Sequence, residues 1–226
     1  MNKRIWEVDL LRAIAILLMI VFHIVYDLNQ FAGIDINYHT GFWYWEGQLA
    51  AMLFMFVAGI SSGLTRSNIL YAGLKLIGIG MIISVVTYAV FVDAYVRFGI
   101  LHFMGTSMIL SRYLKKLSTW VLFELAVVIG IVGFAFKNIT INTSILLPLG
   151  LTYPGFRTVD YYPLVPYLSI FIVGMIAYKI YYYKRESLFD FQWNNRIVMF
   201  LSRHSLFIYI IHQPIIIGII IGYQWL

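Results

Sequence analysis

The side chains able to do chemistry in this chain are ionisable groups set inside apolar sequence, and they fall in a few places. The first apolar run carries Asp9 and Arg12, then His23 and Asp27. Asp9 and Arg12 are three residues apart and share a helix face. They can form an ion pair that orients the helix end, or Arg12 can receive an anionic ligand. His23 lies 14 residues beyond Asp9, roughly 21 Å further along a helix, and Asp27 follows one turn later. A carboxylate one turn from an imidazole can accept its N–H, fix its tautomer and raise its basicity, which is what a general base requires. The plainer reading is a His–Asp pair that caps the helix at the membrane surface.

Further groups follow the same pattern. The segment after the first run holds Asp35 and His39, and Glu46 stands just inside the second run. Around it lie Phe42, Trp43, Tyr44 and Trp45. Such a cluster is the usual aromatic belt of a membrane interface, or a stacking platform for a sugar ring. Arg97 and His102 flank the start of the fourth run, and Asp160 precedes the sixth. The last run opens with Arg203-His204-Ser205 and carries His212-Gln213-Pro214, where the proline is expected to kink the helix. Glu124 stands alone in the fifth run, expected to be protonated and packed or to face the bundle. No His-x-x-x-His spacing of a helical metal site occurs, and no metal is expected. There is no phosphate-binding glycine loop. Cysteine is absent, so neither a thiolate nucleophile nor a disulfide framework is available.

The elements that must position these groups are transmembrane helices. Hydrophobic residues make up 62% of the 226 and charged residues 12%, against about 25% charged in soluble domains. A span needs about 20 apolar residues. Seven runs qualify or nearly qualify, near 8–28, 42–63, 68–92, 98–113, 118–136, 163–183 and 199–222, the fourth being short. Ser144–Leu151, bracketed by Pro148 and Pro154, is too short to cross and is expected to be interfacial or re-entrant. No cleavable signal is evident, and the first run is expected to be retained as a span. The expected fold is an all-α polytopic bundle forming one membrane domain over residues 1–226. With the N-terminus inside, twelve Lys and Arg residues fall on the inner side, against Arg97, Lys137 and Arg157 outside. The positive-inside rule therefore predicts a cytoplasmic N-terminus and an external C-terminus. The net charge of +6 belongs to this anchoring and calls for no nucleic-acid partner. Arginines then gather at the inner mouth, and histidines with carboxylates gather at the outer one. That layout suits an anionic cytoplasmic ligand and acid–base chemistry on the far side. A proton-coupled transporter using His212, Glu124 and His102 as a relay is the alternative, though no internal repeat supports it. A non-catalytic membrane protein is a third reading.

Six ordered strings resemble a known family: Glu7-Val-Asp-Leu-Leu-Arg-Ala-Ile-Ala, Phe22-His-Ile-Val-Tyr-Asp-Leu, Phe54-Met-Phe-Val-Ala-Gly-Ile-Ser, Gly99-Ile-Leu-His-Phe-Met-Gly, Asp160-Tyr-Tyr-Pro-Leu-Val-Pro, and Arg203-His-Ser-Leu-Phe-Ile-Tyr-Ile-Ile-His-Gln-Pro. Together they resemble the short prokaryotic branch of the heparan-α-glucosaminide N-acetyltransferase catalytic-domain family, over almost the whole chain. The opening string also resembles membrane acyltransferases that O-acetylate cell-surface polysaccharides. The resemblance implies a cell-membrane enzyme that takes acetyl-coenzyme A from the cytoplasm and acetylates an amino sugar or sugar hydroxyl on the other side. A homodimer is a possible partner state, because a chain this short can leave the coenzyme tunnel incomplete. Family correspondence points to His23 through the O-acetyltransferases and to His39 through the heparan enzyme, with Asp27 orienting His23. Arg12, Arg66, Arg203 and His212 are the expected coenzyme contacts. His102, Arg97, Asp160 and Trp43 are the expected acceptor contacts.

Overall fold

The computed structural model describes residues 4–65 and 68–224. Among these the chain is all-helical: α1 (Trp6–Ala32), α2 (Gly41–Leu64), α3 (Ile69–Val90), α4 (Ile100–Leu114), α5 (Thr119–Phe136), α6 (Leu164–Ala177), α7 (Arg196–Arg203) and α8 (Ser205–Gln224). Helices dominate because hydrocarbon offers backbone groups no partners, so each span must satisfy its own. Six helices are long and apolar enough to cross a membrane: α1, α2, α3, α5, α8, and α6 together with the π-turn Tyr178–Tyr182 that extends it. The fourth run forms α4, whose 15 residues span about 22 Å, short of a hydrocarbon core of about 30 Å. The last run divides: α7 ends at Arg203, His204 breaks the helix, and α8 starts at Ser205.

Polar side chains set the helix ends. Asn68 caps α3 by accepting from the Leu70 and Tyr71 N–H groups, Ser118 caps α5, and Asn195 caps α7. Gly33 closes α1 at φ +69° and donates its N–H to the Leu28 carbonyl, a left-handed position that suits glycine.

Two compact units form. One comprises the stretch up to Phe54 with Arg185 onward, and the other comprises Met55–Lys184. In the first unit, α1 packs on α7 and α8. Ile16, Met19 and Ala50 form its buried apolar core, with Leu201, Ile208 and Tyr209 packed against them. Glu7 fastens the segment before α7, accepting from the Ser187 hydroxyl at 3.0 Å and the Leu188 N–H at 2.7 Å. Trp6 gathers the rings of Phe189, Phe191 and Trp193 at 5.1–5.9 Å.

In the second unit, glycines let helices meet backbone to backbone. A Cβ on Gly59 of α2 would stand 2.1 Å from the Phe171 carbonyl oxygen of α6, and one on Gly174 the same distance from the Phe56 oxygen. Gly73 of α3 and Gly105 of α4 make a second such crossing. Lipid tails are as apolar as leucine, so spans associate through close packing rather than through loss of water, and small residues at crossings supply it. The short Ser144–Leu151 stretch holds a 3-10 turn, Leu147–Leu149, with Leu147 buried and its carbonyl accepting from the Tyr161 hydroxyl.

Candidate functional site

The first unit builds a polar layer directly above its apolar core. Helices α1 and α8 run in the same direction: His23 meets His212, Asp27 meets Gln213, and Phe31 meets Gln224. The two imidazoles stand edge to face with centroids 4.7 Å apart. His23 Nδ1 lies 2.8 Å from the Met19 carbonyl and His212 Nδ1 lies 2.6 Å from the Tyr209 carbonyl. A carbonyl can only accept, so Nδ1 is the donor in each ring. In the neutral tautomer Nε2 then carries the lone pair. Two basic nitrogens are thereby offered from neighbouring helices.

Asp27 is fully buried, and its Oδ1 accepts from Gln213 Nε2 at 2.8 Å. The expected Asp27–His23 hydrogen bond is not formed: the backbone of Met19, one turn earlier, orients the ring instead. Asp27 therefore ties α1 to α8 and acts on the histidine pair through the placement of α8. Its Oδ2, the Gln213 Oε1 and the His212 Nε2 are buried with no partner among the described residues. Unmet buried polar atoms carry a cost of about 1–3 kcal/mol each, and all three here are acceptors. Gln213 was not among the residues singled out for function. Its signal was an amide at membrane depth beside Pro214.

His39 sits exposed in the loop between α1 and α2. Its ring lies 4.1 Å from that of Tyr38, which packs on Tyr26 at 5.1 Å and accepts from Gln30 through its hydroxyl. The aromatic contacts thus pin the base of this loop. Of the aromatics opening α2, Phe42, Tyr44 and Trp45 are exposed, whereas Trp43 is half-buried.

At the Arg4 end of α1 a second polar network forms. Arg4 grips Asp9 through Nε at 2.8 Å and through Nη2. Ser202 of α7 donates to Asp9 at 2.6 Å and accepts from Arg12 Nη1 at 2.9 Å. Arg12 itself approaches Asp9 at 3.6 Å. The carboxylate holds the Arg4 guanidinium above its ordinary pKa through that hydrogen bond, working against partial burial. Arg12 is thereby part of the clasp between α1 and α7. Arg203 is exposed at the end of α7, and the adjacent His204 bonds locally to the Phe200 carbonyl. Arg66 lies outside the described residues.

The other three expected acceptor contacts lie in the second unit. His102 is buried on α4 beside Gly80, and its Nδ1 accepts from the Gly99 N–H at 3.3 Å. Asp160 caps α4, accepting from the Ile100 N–H at 2.9 Å, and burial pushes its carboxyl up to about 6 despite that bond. Arg97 donates to the Tyr153 hydroxyl and lies over the rings of Tyr95, Tyr153 and Phe156 at 4.7–5.6 Å. Glu124 is exposed on α5 rather than packed inside.

The histidine pair, with its free nitrogens and buried carboxylate, can take protons from a nucleophile. No curated protein and no solved structure matches the chain. The model of one family, described as heparan-alpha-glucosaminide N-acetyltransferase, catalytic, matches residues 4–214, a range that takes in both units and every residue of the polar layer. This chain is therefore a multi-pass membrane protein of the heparan-alpha-glucosaminide N-acetyltransferase catalytic family, a family of membrane acyltransferases.

Proposed function

We propose that the protein transfers an acetyl group from cytoplasmic acetyl-coenzyme A to an amino sugar or sugar hydroxyl on the far side of the cell membrane. The observation that carries this reading is the pairing of half-buried His23 with buried His212, each with its lone pair on Nε2, within a chain of this family. The acceptor's nitrogen or oxygen attacks the thioester carbonyl, and His23 Nε2 takes its proton. The carbon–sulfur bond breaks, and the departing thiolate takes that proton from His23, which returns the base to its neutral form. Asp27 and Gln213 keep α8 beside α1, so that His212 stays against His23. His39, on its pinned loop, is the competing base.

In this reading the N-terminus is cytoplasmic and seven segments thread the membrane, α4 being the short one. The lysine and arginine distribution supports that orientation. Coenzyme A is a co-substrate that enters at the Arg4 end of α1. Arg203 is an exposed cation there, as are Arg4 and Arg196, and Arg12 is held in the clasp with Ser202. Guanidinium groups suit phosphate oxygens. Holding thioester and acceptor together supplies much of the rate. The test is transfer of labelled acetyl from acetyl-coenzyme A to glucosamine by the purified protein in nanodiscs. Replacing His23 by alanine should lower that rate by about 10²–10⁴-fold and leave coenzyme A binding intact.

A further inference from the structure

Glu46 is 7% exposed, and neither of its carboxylate oxygens has a hydrogen-bond partner among the described residues. Its place follows from the helix register. Ala50 of α2 packs in the core with Ile16 and Met19 of α1, and Ile208 of α8 packs against them. Met19 and Ala50 share one core cluster, and a Cβ on Gly47 would meet the Phe22 ring at 2.5 Å; moving up α1 from Met19 to Phe22 therefore moves back along α2 from Ala50 to Gly47, as in helices that run in opposite directions. One turn beyond the core, on the same three faces, stand His23 (four after Met19), His212 (four after Ile208) and Glu46 (four before Ala50). The apolar core is thus continued by two imidazoles and a carboxylate. One turn further on the α2 face is the half-buried Trp43.

Every unmet atom in this layer is an acceptor: both Glu46 oxygens, Asp27 Oδ2, Gln213 Oε1 and His212 Nε2. The rings cannot relieve them, since each uses its N–H on its own helix. A bound group that brings hydrogens would satisfy them. We propose that Glu46 is a further residue of the transfer site, accepting a hydrogen from the acceptor's attacking amine and aiming its lone pair while His23 removes the proton. This rests on the acetyl-transfer reading above. The bond made is nitrogen to acyl carbon, the bond broken is carbon to sulfur, and Glu46 is unchanged at the end. An amine brings more hydrogens to such a layer than a hydroxyl does.

The test uses the full chain in nanodiscs, with acetyl-coenzyme A as donor and glucosamine as acceptor. Glu46→Gln should raise the glucosamine KM at least tenfold and leave the acetyl-coenzyme A KM within twofold. Glu46→Asp, which keeps both oxygens one carbon shorter, should fall between. A wild-type glucosamine KM in Glu46→Gln overturns the assignment while leaving acetyl transfer standing, whereas no transfer by the wild type removes the functional reading and this inference together. One measurement avoids variants: dicyclohexylcarbodiimide labelling of Glu46 in the wild-type protein should slow at least threefold in saturating glucosamine. Labelling indifferent to glucosamine would likewise overturn the assignment.

Discussion

At the scale of single residues, the backbone chose the chemistry of the histidines. A helical imidazole that donates Nδ1–H to a carbonyl of its own preceding turn is left with a basic Nε2, and this happens on both α1 and α8. The sequence showed His23, Asp27 and His212 as polar groups at membrane depth, because such groups stand out against 62% hydrophobic residues. It did not show who pairs with whom. Asp27 is one turn from His23, yet it faces Gln213, since the partner depends on how α8 docks, which spacing within α1 does not encode. The pairing has a measurable consequence. Gln213→Leu strands Asp27 Oδ1 without a donor, and it should lower stability by about 1–3 kcal/mol, read as the melting temperature in detergent. Asp27→Asn keeps the acceptor oxygen and should cost less than Gln213→Leu. Arg12 and Ser202 are separable in the same way. Arg12→Ala should weaken coenzyme A binding by about 1.5–3 kcal/mol if it meets one phosphate. Ser202→Ala, which loosens the clasp but keeps the charge, should leave that affinity within about twofold, and calorimetry distinguishes the two.

At the scale of elements, apolar runs of span length became helices close to their expected bounds, because hydropathy over about 20 residues leaves a chain in lipid few options. The exception is instructive. The 199–222 run was expected to be one helix but breaks at His204, where α7 turns so that Ser202 can reach Asp9 and Arg12. Tertiary hydrogen bonds decided that, and hydropathy is blind to them. Helix crossings were also illegible in the sequence, since glycine alone does not name its partner. Gly59→Ala would drive a methyl into the Phe171 carbonyl and should cost about 1–3 kcal/mol, as overpacking does. Gly78→Ala on α3, where a Cβ meets nothing within 4 Å, should be neutral or slightly stabilising. Thermal melts of the two variants side by side check this. Asp160 at the α4 N-terminus adds a pH signature. Its folded pKa, raised to about 6 by burial, exceeds the ordinary 3.8. The folded state therefore binds the proton more tightly, and stability falls as pH rises from about 4 to about 6. Asp160→Asn keeps the cap and removes the titration. Lowering the pH from 7 to 5 should therefore stabilise the wild type more than Asp160→Asn.

At the scale of the whole molecule, composition alone excluded a soluble domain, and lysine and arginine placement implies the orientation. Absence of cysteine makes that orientation simple to read. A cysteine introduced in the loop at Asn37 should react with a membrane-impermeant maleimide from outside intact cells, and one at Lys115 only after the cells are opened. Reaction of the Lys115 site alone in intact cells would invert the topology. Family membership was legible because ordered strings survive along the chain, whereas the identity of the base was not, since His23 and His39 both fit known patterns. The structure sets His23, half-buried, against the buried His212, and leaves His39 in an exposed loop. The most direct test of the account is therefore acetyl transfer to glucosamine measured in parallel for the wild type, His23→Ala and His39→Ala in nanodiscs. The account predicts a loss of about 10²–10⁴-fold for His23→Ala and near-normal transfer for His39→Ala. An inactive His39→Ala beside an active His23→Ala would contradict it.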